Sequence, residues 1–261
     1  MHTLRLLSAF FKVNLQMTLA YRVDTIVNLL MEVLTLGWEL LSLYIIFSNT
    51  STLGGWNLGE LLALLGVFHL VNALMNILIW PNTEAFNTAV RDGTLDYTLL
   101  KPADSMFLVT FSRMTIWRVW DLALGAVLII IGVHRSGLNS TLPELLSFLL
   151  LAATGSLILY SLWIVLIAAT FWFTKFDNNV TILQALLDTG RYPSSVYPFW
   201  LRIIITFFIP IAVATTIPVQ ALRGELNAGQ VSIFLAISAA SFLIASRVWK
   251  AGVKKYSGAS S

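Results

Sequence analysis

The 261-residue sequence predicts an all-α polytopic integral membrane protein with six transmembrane helices and both termini in the cytoplasm. Three observations carry that expectation. First, 57% of the residues are hydrophobic and only 11% are charged, with a mean hydropathy of +0.81. Soluble domains carry about 25% charged residues, so this chain could not coat a water-facing surface of its size. Second, six stretches reach the roughly 20 apolar residues that a helix needs to bridge hydrocarbon. Third, fourteen of the sixteen Lys and Arg fall on the side of the N-terminus, leaving only Arg135 and Arg223 opposite, as the positive-inside rule requires.

The chain reads as one transmembrane domain, 1–261. Residues 1–21 interleave His2, Arg5, Lys12, Asn14 and Gln16 with apolar residues, unlike the unbroken core of a signal peptide. In a helix, Leu4, Leu7, Phe11 and Leu15 share a face, which predicts an interfacial amphipathic helix. A plain cytoplasmic extension of the first span is the alternative. The spans are expected at 24–47, 58–80, 105–133, 144–173, 201–222 and 230–250. Asn57 with Glu60 and Thr141 with Glu144 are capping pairs for the second and fourth, and Asp104 is placed to cap the third. Length and the lack of alternating polarity exclude strands. The outer loops are short; the inner ones, 81–104 and 174–200, are longer.

Several chemistries are excluded. There is no cysteine, so disulfides and thiolate metal sites are unavailable. The three histidines fall at different depths, so neither a metal site nor a catalytic centre is expected. Basic residues are scattered at segment ends and form no nucleic-acid stripe.

Two groups of residues remain as candidates. In the first inner loop, Asn82 or Thr83 can cap a short helix at 84–92, with Gly93 at its left-handed end. Phe86, Ala89 and Val90 give it an apolar side, Leu95, Leu99 and Leu100 follow, and Lys101-Pro102 ends the unit. Such a helix either docks into a partner's groove or lies on lipid. Within the spans, Asn28, Glu32 and Glu39 fall near one face of the first, and His69, Asn72 and Asn76 share a face of the second. Carboxylates in hydrocarbon must face protein or water. They are expected to hold helices together, with a polar pathway as the alternative. Arg118 and Asp121 can pair in the third span. Pro210 and Pro218 should kink the fifth near the outer leaflet.

The run Arg91-Asp92-Gly93-Thr94-Leu95-Asp96-Tyr97-Thr98-Leu99-Leu100-Lys101-Pro102 resembles the Arg-x-Gly-x-Leu-Asp-x-x-Leu-x-Lys-Pro signature of type-2 ABC exporter permeases, and more narrowly their bacterial six-span branch. Arg191-Tyr192-Pro193, Tyr197-Pro198, Leu201-Arg202, Ile209-Pro210 and the Pro218 region continue the likeness. Thr94 departs from the glutamate often found there. The resemblance implies the type-2 ABC exporter transmembrane fold in a bacterial plasma (inner) membrane. It also implies a half-transporter that pairs with a second permease and docks two cytoplasmic ATPases through a coupling loop at 82–102. The chain has no Gly-Lys pair and hence no phosphate loop, so ATP and Mg would be held by the partner ATPase. On this reading Phe86, Val90, Leu95 and Leu99 fill the ATPase groove. Arg91, Asp92 and Asp96 set charge register at its rim, Gly93, Lys101 and Pro102 shape the loop, and Pro210 and Pro218 belong to an outer gate. Few charges among aromatic and aliphatic walls fit an amphiphilic, lipid-like or drug-like cargo. A secondary transporter or channel using the intramembrane carboxylates is the alternative, although no internal repeat supports it.

Overall fold

The computed structural model describes residues 2–20, 22–138, 141–173 and 179–256. Helix α1 (His2–Ala20) is followed by α2 (Arg22–Asn49), whose 28 residues exceed the thickness of a hydrocarbon core. Helix α3 (Leu58–Leu74) begins at the expected capping box, in which Asn57 accepts from the Glu60 amide while Glu60 accepts from that of Asn57. It is apolar on all sides and almost wholly buried, as the central helix of a bundle must be.

The first correction concerns where α3 ends. A π turn at Met75–Ile79 passes directly into α4 (Trp80–Arg91), so 58–91 is one 34-residue rod rather than a span plus a separate loop helix. Asn82 and Thr83 therefore cap nothing. Thr83 donates to Ile79 O and accepts from Trp163 Nε1 at 2.6 Å, while Asn82 turns its amide toward the third crossing. Beyond Gly93, at φ +70°, come α5 (Asp96–Leu99) and α6 (Ser105–Phe111), the latter capped by Asp104.

The second correction is that the third span is not one helix over 105–133. It breaks at 112–115, resumes as a 3-10 turn (Ile116–Arg118), and continues as α7 (Val119–Ser136) to a left-handed Gly137. Helix α8 (Leu142–Ala169) starts at the expected Thr141–Glu144 box and ends four residues before 173. Helices α3 and α7 touch backbone to backbone through Gly59, Gly66, Gly125 and Gly132. A Cβ on Gly66 would stand 2.6 Å from Gly125 O.

The third correction relocates the fifth crossing. Helix α9 (Asn179–Leu187) and two 3-10 turns carry the chain past Gly190, where an added Cβ would stand 2.9 Å from Ile211 Cγ2. It then reaches Ser195, whose hydroxyl donates to Gly54 O in the loop between α2 and α3. Next come α10 (Phe199–Ile203) with its π turn (Ile204–Phe208), then α11 (Ile211–Ala214) and α12 (Thr216–Leu222). The two halves, Phe199–Phe208 and Ile211–Leu222, meet at 70°. Arg223, at the exit, donates to Gly55 O and pairs with Glu60 at 3.2 Å. Entry and exit thus touch adjacent residues of one loop. Residues 199–222 make an excursion from the end of the bundle opposite the termini, and 179–195 make the crossing. Among the described residues, six passes remain once α13 (Ala228–Lys255) returns to the terminal end. Arg202 consequently sits at the opposite end and Arg191 within the bundle. The excess of Lys and Arg at the terminal end shrinks by these two and keeps its sign.

Candidate functional site: a charged tip and a buried ion-pair network

The terminal end of the rod is a tip with two faces. Leu95 and Leu99, four apart, pack inward, Leu95 being 1% exposed. Phe86 is 2% exposed, wedged between Phe171 and Trp249 with ring centroids at 5.5 and 5.6 Å. Val90 is half-buried against the same core. The expectation that Phe86, Val90, Leu95 and Leu99 project into a partner's groove is therefore corrected. Because α4 is welded to α3, its apolar face meets the ends of α8 and α13. The outer face instead carries Arg91, Asp92, Lys101, Pro102 and two large side chains, Tyr97 at 73% and Leu100 at 82% exposure. Asp96 and Gly93 are half-buried. Tyr97 and Leu100 are the docking candidates that the face assignment missed. Their i,i+3 spacing, out of phase with Leu95 and Leu99, is the signal that could have found them. The exposed Arg91–Asp92 ion pair, at 3.5 Å, contributes little stability.

Deeper in the bundle, ion pairs tie α2 to the remaining helices. Glu32 Oε2 accepts from Arg118 at 2.8 Å, and Arg118 also bonds Asp121 at 3.1 Å. Two turns up, Glu39 Oε2 meets His69 Nε2 at 2.8 Å while Glu39 Oε1 faces Arg191 at 3.2 Å. His69 Nδ1 lies 3.9 Å from Glu32, and Arg191 reaches Asp188 at 3.0 Å. Both guanidiniums also lie over aromatic faces, Arg118 on Trp117 at 4.2 Å and Arg191 on Phe68 at 5.2 Å. The buried Asp121, the half-buried Glu32 and Glu39, and the exposed Asp188 thus face two arginines.

The other expected polar residues divide. Asn72 and Asn76 line the same cavity, of about 270 Å³, but bond each other at 2.9 Å rather than answering the glutamates. Asn28 is exposed on α2 and donates to Asp24 O, one turn away on its own helix. The cavity shares Asn76, Trp80, Arg118 and Gln184 with a cleft of about 720 Å³ that extends to Glu84 and Arg91 at the tip. Pro210 lies at the bend of the excursion, next to Ile211, which contacts Gly190. Pro218 is buried in α12 on the way back. Arg191, expected on the terminal side, is instead the partner that closes the network. Among the described residues, no three His, Asp or Glu side chains are grouped to hold a metal ion.

The arrangement offers a rigid rod with an exposed tip, joined to a polar cleft inside an apolar bundle. No curated protein and no solved structure matches the chain. A family model described as ABC-2 family transporter protein matches residues 33–260, from the middle of α2 past the end of α13. The chain is a transporter permease and belongs to the ABC-2 family of transporter proteins.

Proposed function

We propose that this permease is one half of an ATP-driven exporter. It pairs with a second permease, identical or related, and with two cytoplasmic ATPase subunits that hold ATP and Mg. In this reading both termini and the tip face the cytoplasm of a bacterial inner membrane, and α1 lies along the lipid interface. The observation that carries the proposal is the continuous rod from Leu58 to Arg91 ending in an exposed tip. A partner that closes on Arg91, Asp92, Tyr97, Leu100, Lys101 and Pro102 would move α3 as a lever. Aromatic and aliphatic anchors in such patches supply binding energy, and rim charges set orientation.

Cargo of amphiphilic, lipid-like or drug-like character would enter through the cleft beside the tip and the cavity it joins along α2. Pro210 and Pro218 would gate its exit in the excursion at the far end. The intramembrane carboxylates support this reading over a proton-coupled secondary transporter. Glu32, Glu39 and Asp121 are each engaged by Arg118, Arg191 or His69, which fits helix-to-helix glue.

Co-expression with the neighbouring ATPase tests the proposal. The ATPase should co-purify with the parent chain and be lost from a variant with Arg91→Glu, Tyr97→Ala and Leu100→Asp. Undiminished recovery with the triple variant would overturn the docking assignment.

A further inference from the structure

A helix broken inside a membrane leaves unsatisfied carbonyls on one side of the break and amides on the other. Hydrocarbon offers them no partners. The break at 112–115 finds its partners in three places. Asn82, in α4 and 1% exposed, donates to Thr110 O and Arg113 O, each at 2.7 Å. Its carbonyl accepts from the Arg113 amide at 3.0 Å and the Ser112 hydroxyl at 2.9 Å. Asn14, in α1, donates to Ser112 O at 3.3 Å and accepts from the Met114 amide at 3.1 Å. The Thr115 amide donates to Ile77 O at 3.1 Å, inside the π turn.

All of these partners sit on the lever or on α1, none on α7 or α8. Asn82 Nδ2 also lies 2.6 Å from Leu78 O on its own rod, so one of its two N–H groups is shared between two of the three carbonyls around it. Nine residues, roughly 13 Å along a helix, separate it from Arg91. A displacement of α4 that keeps these bonds must carry the broken strand with it. An amide side chain supplies donors and an acceptor together, which no apolar residue at 82 could do.

We propose that Asn82 is the positioning residue through which a stroke of α4 reaches the third crossing, with Asn14 steadying the same joint from α1. The proposal rests on the exporter reading, and its test separates the two. The chain has no cysteine, so spin-label pairs can be introduced into the complex with its ATPase. One pair, Thr94→Cys with Ile244→Cys, reports the tip; the other, Ile130→Cys with Leu149→Cys, reports α7. All four positions are exposed. In the parent, ATP should shift both distances. In Asn82→Ala the tip pair should keep its shift while the α7 pair loses most of it. Asn14→Ala should at least halve the α7 shift, and it decides alone if Asn82→Ala does not fold, since α1 is peripheral. A parental α7 shift in either folded variant overturns the proposal. No shift at either pair in the parent would instead mark failure of the exporter reading.

Discussion

Replacing Arg118 by Met would strip the buried Asp121 and the half-buried Glu32 of their common cation. Asp121, with its side chain 3% exposed, and Glu32 at 14% hold Arg118 at 3.1 and 2.8 Å. Removing one partner of a buried pair costs about 3–5 kcal/mol, because the remaining charge stays desolvated. Arg118 is 22% exposed and borders the polar cleft, so water screens part of that loss and we expect about 2–4 kcal/mol. At this chain length the midpoint of thermal unfolding should fall by roughly 4–16 °C. The same substitution combined with Glu32→Gln and Asp121→Asn removes the stranded charges, and stability should return to within about 1 kcal/mol of the parent. Intrinsic tryptophan fluorescence of detergent-purified protein, heated in parallel, measures all three. A single variant as stable as the parent, or a triple variant no better than the single, would refute the view that the network is structural glue.

Three further outcomes rest on the packing and the topology. Gly66→Ala sets a Cβ 2.6 Å from a backbone oxygen of α7 that no rotamer can relieve, and should cost about 1–3 kcal/mol. Gly37→Ala on the open face of α2 meets nothing within 4 Å and should be neutral or stabilising by up to about 1 kcal/mol. Single cysteines at Thr52, Ser195 and Glu225 should react with an impermeant maleimide from one side of the membrane, and one at Thr94 from the other. Ser195 labelling with Thr94 would restore 201–222 as a crossing.

Much of this fold can be read from local chemistry. The Asn57–Glu60 and Thr141–Glu144 boxes and the Asp104 cap form where the residue types place them, because their partners lie within one turn. Hydropathy misplaces the fifth crossing for a physical reason. Residues 201–222 are apolar and long enough to span, yet an excursion into a bundle needs the same composition. The actual crossing contains Asp188, Thr189, Gly190 and Arg191, tolerable because Asp188 and Arg191 pair with each other, Arg191 also faces Glu39, and both line the polar cavity. Similarly, periodicity correctly groups Phe86 with Val90 but cannot say that the face meets Phe171 and Trp249. Arg191 with Glu39, and Asn82 with Arg113, are pairings between distant segments that no local pattern encodes.

The central claim is that a separate ATPase drives this chain through its tip. Purifying the permease with its neighbouring ATPase in lipid nanodiscs and measuring ATP turnover tests it most directly. The account predicts a stable complex whose turnover falls at least tenfold when Arg91→Glu, Tyr97→Ala and Leu100→Asp are combined, a loss of about 1.4 kcal/mol or more in coupling. A permease that purifies alone, leaves ATPase turnover unchanged and conducts solute down a gradient would contradict it.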